Sequence, residues 1–152
     1  MEYRLATEKD TDRLAELRWD YEAGETPSDS ANKERFIKVC SDHLKARMQD
    51  GFYCWVAAEN GVVISHIHII TVKKVPKPEK LNGIWGYVTA VYTIPEYRNK
   101  GIGSTLMNKA KEWCRNQGFE LLIVWPSERS VPFYERAGFC GNNDILELPF
   151  ES

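Results

Sequence analysis

Residues 98 to 104 read Arg-Asn-Lys-Gly-Ile-Gly-Ser, and this run carries the clearest chemistry in the chain. Gly101 and Gly103 stand two apart. Such a pair lets the backbone turn tightly and approach a ligand with no Cβ in the way. The apolar spacing downstream predicts a helix that begins here. Amides at a helix start lack intrahelical partners and sit at the positive end of the helix dipole, so they can donate to phosphate oxygens. Arg98 and Lys100 add positive charge beside them. The run lacks the GxxxxGK[ST] spacing of a P-loop. It also lacks the third glycine of a dinucleotide fingerprint, and no early β-α-β unit precedes it. The residues alone leave two readings: an anion-binding turn, or a plain glycine turn carrying solvated basic side chains.

Two further groups could do chemistry. His66 and His68 stand two apart in a β-like run, so both point to one face. Such a pair can ligate a metal, but no third ligand stands at a suitable spacing, since Glu79 lies beyond a proline-rich loop. No metal site is expected. Flanking a substrate pocket, either histidine could act as a general base near neutral pH. The plain alternative is one packed and one exposed histidine. Cys40, Cys54, Cys114 and Cys140 form no CxxC pair and no zinc spacing. They read as reduced, mostly buried thiols rather than two disulfides.

The elements that must position these groups follow from periodicity. Tyr3 to Ala6 reads as a strand. Capping residues from Thr7 to Asp12 precede Leu14, Leu17 and Tyr21, which predicts a helix from near Asp10 to near Gly24. Glu25 to Ser30 reads as a loop. Phe36, Cys40, Leu44 and Met48 repeat every fourth residue, giving a second helix from about Ala31 to Gln49, closed by Gly51. Phe52 to Glu59 and Val62 to Val72 are β runs joined by the hairpin signal Asn60-Gly61. Lys73 to Lys80, with four lysines and two prolines, reads as an exposed loop. Ile84 to Ile94 is a third long β run. The helix after Gly103 buries Leu106, Met107, Ala110, Trp113 and Cys114 and ends at Gly118. Leu121 to Trp125 reads as a strand buried on both faces. Val131 to Ala137 is a short helix, and Ile145 to Phe150 a last strand. The order is β-α-α-β-β-β-α-β-α-β, an α/β chain with one mixed sheet of α+β character. Antiparallel hairpins lead into a parallel crossover.

The length of 152 residues suits one domain over 1–152. Lysine plus arginine is 20 and aspartate plus glutamate 22, a net charge of −2, which excludes nucleic-acid binding through global charge. No apolar run suits a membrane span, and the N-terminus carries no basic stretch followed by an apolar run. The expectation is a cytoplasmic protein with no membrane or nucleic-acid partner.

The run Val91-Tyr92-Thr93-Ile94-Pro95-Glu96-Tyr97-Arg98-Asn99-Lys100-Gly101-Ile102-Gly103 resembles the acetyl-CoA signature of the GNAT superfamily of N-acetyltransferases. Arg98, Gly101 and Gly103 fill its [Q/R]xxGx[G/A] pattern. Ser127 to Phe139 is similar to the family's second segment, N..A..FYE..GF, and the element order is also the family's. The resemblance implies a sheet splayed at an acetyl-CoA cleft. Backbone groups of Val91, Tyr92 and Thr93 would hold the pantetheine arm and meet the oxyanion. Amides of Arg98, Asn99, Lys100, Gly101, Ile102, Gly103 and Ser104 would hold the pyrophosphate, and Ser127 would add a contact. Tyr134 lies where many relatives place a hydroxyl near the departing sulfur, and a phenol can protonate a thiolate. Its alternative is a core tyrosine.

Two departures stand out. Ser127 replaces the common asparagine, and Tyr87 stands where some relatives carry a glutamate base. The resemblance places the acceptor over the first two helices. There Asp20, Glu22, Glu25 and Asp29 would attract a cationic amine, or simply form a solvated helix end. Trp19, Tyr21, Trp85, Tyr87 and Tyr92 could line the pocket or belong to the core. The expected activity is acetyl transfer to a primary amine of a small molecule by a protein that could form a homodimer. The alternatives are a peptide or protein acetyltransferase and a non-catalytic acyl-CoA sensor.

Overall fold

The structure, a computed structural model, describes residues 1–23, 30–141 and 145–150. Strand β1 (Glu2–Leu5) leads to helices α1 (Thr11–Ala23) and α2 (Ser30–Arg47). Three strands follow: β2 (Phe52–Glu59), β3 (Val62–Lys73) and β4 (Ile84–Thr93). Helix α3 (Ile102–Asn116), strand β5 (Leu121–Val124) and helix α4 (Val131–Arg136) complete the regular elements. The strands form one sheet in the order β1-β2-β3-β4-β5. The first four are mutually antiparallel, and β5 runs parallel to β4 after the α3 crossover. Among the described residues no helix is long and apolar enough to cross a membrane.

Each face of the sheet carries its own core. On one face, Leu106, Met107, Ala110 and Cys114 of α3 cover Ile67, Ile69 and Val88. On the other, Leu14 and Leu17 of α1 and Leu44 of α2 cover Phe52, Cys54 and Val56. Each fully buried leucine contributes roughly 1.5–3 kcal/mol. The entry to α1 is fixed by a capping box. Thr7 Oγ1 accepts from the Lys9 amide, and the Asp10 carboxylate accepts from the Thr7 amide at 2.8 Å. Arg4 of β1 donates twice to the same carboxylate, at 2.7 and 2.9 Å.

The hairpin expected at Asn60-Gly61 forms with both residues at positive φ, 51° and 81°. That is the mirror-image turn whose twist matches paired strands. Two register breaks matter below: β3 carries an extra residue, Ile64, opposite Ala57 and Ala58, and β4 carries Thr89 opposite His68 and Ile69.

Two local expectations are corrected. Ile145–Phe150 is not a strand; it lies along the surface with Leu146 and Phe150 exposed. A strand needs a ladder partner, and this segment has none in the sheet. β5 is also not buried on both faces. It is the edge strand, and Leu121 at its start is exposed. The loop expectation for 25–30 falls almost wholly outside the described residues, as do Glu25 and Asp29 of the acidic cluster.

Candidate active site

The cleft begins where two parallel strands part. β5 pairs with β4 only from Trp85↔Leu121 to Val88↔Val124. The bulge residue Thr89 follows at once, and β4 continues to Thr93 with β3 as its only neighbour. Here the Ile94 amide donates to the Ile64 carbonyl at 3.0 Å. Ser65 and Thr93 are therefore a non-hydrogen-bonded pair, and by alternation so are Ile67 and Val91. Val91 and Thr93 thus turn their backbone groups away from β3, towards the side β5 has left. Of Val91, Tyr92 and Thr93, all three expected to offer main-chain partners to a ligand, only Val91 and Thr93 face that side. Tyr92, between them, instead pairs with His66.

The end of β4 is pinned. Ser65 Oγ donates to the Tyr92 carbonyl at 3.0 Å and lies 2.8 Å from Thr93 Oγ1. Arg98 Nε donates to the Thr93 carbonyl at 2.8 Å, which ties the glycine-bearing turn back to the strand. The Arg98 guanidinium also lies over the Tyr92 ring, at 5.4 Å from its centroid. The turn itself needs left-handed backbone at two positions: Asn99 has φ 61° and Gly101 φ 78°. Gly101 is the residue at the N-terminal boundary of α3, and the first α3 amides have no side-chain cap. Alternating handedness of this kind turns successive amides towards one concavity.

That concavity is a cavity of about 290 Å³. Thr93, Tyr97, Arg98, Asn99, Gly101, Ile102, Gly103 and Ser104 line it, closed on the far side by Phe133 and Arg136. A Cβ on Gly103 would point towards Phe133 at 3.5 Å, ordinary contact distance. Protein packing therefore leaves room for a residue as small as alanine, in keeping with the [G/A] at this place in the motif, while a larger side chain would enter the concavity. Lys100 lies over the Tyr97 ring and is exposed.

Tyr134, next to Phe133 on α4, is not among the residues that line the cavity. It is 8% exposed, with edge contacts to Phe133 and Phe139. Burial pushes its phenol above the usual value, and the neighbouring Tyr21 phenol adds to the shift. It stays protonated at neutral pH, the state a proton donor requires. Tyr21 of α1 also packs edge-on against Tyr92, at 5.7 Å. Tyr21, Tyr92 and Tyr134 therefore converge from α1, β4 and α4.

Other expected site residues lie apart. Trp19 packs on Phe36 at 5.5 Å and joins α1 to α2. Glu22 is exposed and paired with Arg18 at 3.0 Å. Tyr87 meets Trp125 edge-on at 5.0 Å, just where the strands part. Ser127 donates to Ser130 at 3.1 Å in the turn before α4 and does not line the cavity. His66 and His68 are both buried, so the reading of one packed and one exposed ring is corrected. Burial holds both rings below the ordinary histidine value, His68 down to about 4.

Sequence reasoning missed Arg136 and Cys54. Arg136 was legible, because it stands three residues after Phe133 and hence on the same helical face. Cys54 was not. A two-residue turn with unbroken register would set Cys54 opposite Ile67. The extra residue Ile64 shifts the pairing by one, and Cys54 meets His68 instead.

A strand that leaves its neighbour beside a glycine-led helix start opens a cleft with unpaired helix amides at its rim, and the comparisons name the family that this fold belongs to. The chain belongs to the acetyltransferase (GNAT) family, whose model matches residues 11–139. Members of this family use acetyl-CoA as cosubstrate, and the uncapped α3 amides with Arg98 and Arg136 suit its phosphates. Among curated relatives, a glucosamine 6-phosphate N-acetyltransferase of Trypanosoma brucei brucei is 39% identical over 63 residues, 41% of this chain and 43% of that protein. An uncharacterized N-acetyltransferase of Methanocaldococcus jannaschii is 25% identical over 112 residues, 70% of this chain and 46% of that protein. The chain thus spans less than half the length of these relatives. Among solved structures, a predicted acetyltransferase with acetyl-CoA from Clostridium acetobutylicum shares the fold. Its TM-score is 0.75 at 23% identity, covering 97% of this chain and 95% of that one.

Proposed function

We propose that this chain transfers the acetyl group of acetyl-CoA to a primary amine of a small molecule. The observation that carries the reading is the convergence just described. The glycine-bearing turn and the outward-facing end of β4 form one side of the opening, and α4, which carries the protonated Tyr134, closes the other through Phe133 and Arg136. The neutral amine attacks the thioester carbonyl, and the C–S bond breaks as the amide C–N bond forms. The Val91 or Thr93 amide meets the developing oxyanion. Tyr134 gives its proton to the leaving thiolate, and no covalent enzyme intermediate is needed. The buried histidines are sealed from this opening, so the amine loses its proton to solvent or a water chain.

The small-molecule assignment draws support from the glucosamine 6-phosphate relative. The deciding experiment is a thiol-release screen with acetyl-CoA against amino sugars, aminoglycosides, polyamines, amino acids and short peptides. Release with an amino sugar or other small amine is the expected result. Release with peptides alone would move the assignment to a peptide acetyltransferase. Binding of coenzyme A with no release from any amine would leave an acyl-CoA sensor.

A single domain over 1–152, a cytoplasmic location and a homodimer belong to the same proposal. Four free cysteines support a reducing compartment. The edge position of β5 and the exposed apolar segment Ile145–Phe150 support self-association. Light scattering across a dilution series should give twice the chain mass.

A further inference from the structure

Cys54, His66 and His68 form a cluster on the α1–α2 face of the sheet, away from the donor cavity. They are 2%, 1% and 7% exposed, and their ligand-type atoms all lie within 4.8 Å of one another. Three of the four imidazole nitrogens, Nδ1 and Nε2 of His66 and Nε2 of His68, are sealed from solvent with no hydrogen-bond partner. A neutral imidazole has one donor and one acceptor, and burying either unpaired is costly. Sequence distance hid the grouping, but the fold builds it on two adjacent strands. Cys54 faces His68 across the β2–β3 ladder, and His66 lies two residues from His68 on the same face. The two rings stack at 4.3 Å between centroids, and Phe52 closes the far side of His68 edge-on at 5.2 Å. The Cys54 thiol makes one long contact, to the Trp55 carbonyl at 3.8 Å, and a dry site that joins a thiol to two unpartnered imidazoles suits a thiophilic ion.

We propose that Cys54, His66 and His68 bind one Cu(I) ion. Charge and coordination number select the ion. On binding, the Cys54 S–H bond breaks, an S–Cu bond forms, and the proton leaves to solvent. One thiolate and two neutral imidazoles then neutralise a monovalent cation. A divalent ion would leave a buried positive charge, because the nearby Asp10 carboxylate is already held by Arg4 at 2.7 and 2.9 Å. Zinc also takes four ligands in structural sites, and the described residues group only these three. Thiolate and imidazole both suit Cu(I). The ion would cross-link β2 to β3 directly beneath Tyr92, whose ring lies 6.0 Å from that of His66. The burial of all three ligands means that it enters during folding or through local opening of α1.

The test uses the full chain with the exposed Cys140 replaced by serine, to remove adventitious thiol binding. The protein is refolded anaerobically with Cu(I) and challenged with bathocuproine disulfonate. One equivalent per chain should survive, X-ray absorption should report one sulfur and two imidazole nitrogens, and the thermal midpoint should rise with loading. Cys54→Ser and His68→Gln should each weaken retention by more than the roughly 10–100-fold that loss of an outer-shell partner costs. Three results would overturn the assignment: complete release to the chelator, a coordination shell without sulfur, or Zn²⁺ held in preference to Cu(I). The first two are read on chains with all three ligands intact, so a variant that fails to fold does not blur them.

Discussion

The two faces of the sheet are packed by different chemistry. Beneath α3 the buried sheet residues Ile67, Ile69 and Val88 are aliphatic, the buried Ser65 hydroxyl stands at the strand end, and a cavity lies at the rim, where the chain turns into α3. Beneath α1 and α2 polar groups reach the core itself: Cys54, His66 and His68 on the sheet, and Thr11 and Ser41 joined at 2.9 Å between the helices. An apolar platform holds a helix N-terminus still and lets backbone amides do the binding. A platform with polar groups holds side chains still, and so can offer specificity or ligation. The family resemblance speaks to the first face, where the motif is local. It says nothing of the polar cluster buried in the second.

Four substitutions can break or sharpen that contrast. The largest effect is expected for Tyr134→Phe, which keeps the ring packing and removes the proton donor. Turnover should fall by about 10²–10⁴-fold with little change in either KM. Unchanged turnover across pH would remove Tyr134 from the chemistry and make it core alone. Gly103→Val comes next. It should raise the KM for acetyl-CoA by at least about tenfold, the equivalent of ~1.4 kcal/mol of lost binding. A Cβ here meets protein atoms only at ordinary contact distance, so cofactor binding should suffer more than stability. A large loss of stability with an unchanged KM would mean that packing, not ligand approach, requires the glycine.

Asp10→Asn probes the other side. The Arg4 hydrogen bonds, and then the Thr7 amide, hold the Asp10 carboxyl below the usual carboxylate value. A depressed carboxylate adds stability that is present above its unfolded value and is lost as pH falls through the lower folded value. The asparagine variant should lose about 1–2 kcal/mol at pH 7, where the cap and ion pair are intact in the parent. The gap between the two proteins should close under acid conditions. Denaturant melts at several pH values check the sign, and a gap that widens in acid would reject the assignment. The smallest effect is expected for Glu22→Lys. Arg18 already shares that charge, and both side chains are exposed, so the KM for a cationic amine should rise only about two- to threefold. No change would remove the acidic segment from acceptor steering.

The sequence was most informative where signals are local. Asn60-Gly61 named its turn because few residues tolerate two successive positive φ values. Leu106, Met107, Ala110 and Cys114 named α3 and its buried face together. Ile145–Phe150 misled because alternation describes what a strand could bury, not whether a neighbour exists. Leu121–Val124 misled in the same way: a continuous apolar run suits an interior strand, yet this one lies at the edge of the sheet. The turn into α3 was legible as a glycine-bearing helix start, with Gly101 at the helix boundary. The Cys54–His68 juxtaposition was not, since it depends on one unpaired residue in β3 that no periodicity reports.

Thr89 has a similar influence on β4, with a consequence for how this strand tolerates change. Tyr87 and Tyr92 are an odd number of residues apart, yet their β3 partners Ile70 and His66 point the same way. In an unbroken ladder of the same length the two aromatics would lie on opposite sides. Thr89 works as a frameshift in the two-residue rhythm of the strand, letting its first half and its second half be read in different phases. A deletion of Thr89 would restore an unbroken ladder with Trp85, Tyr87 and Tyr92 still on one side, but would erase the break where β4 leaves β5. Chain length here is as much a part of the site as any side chain.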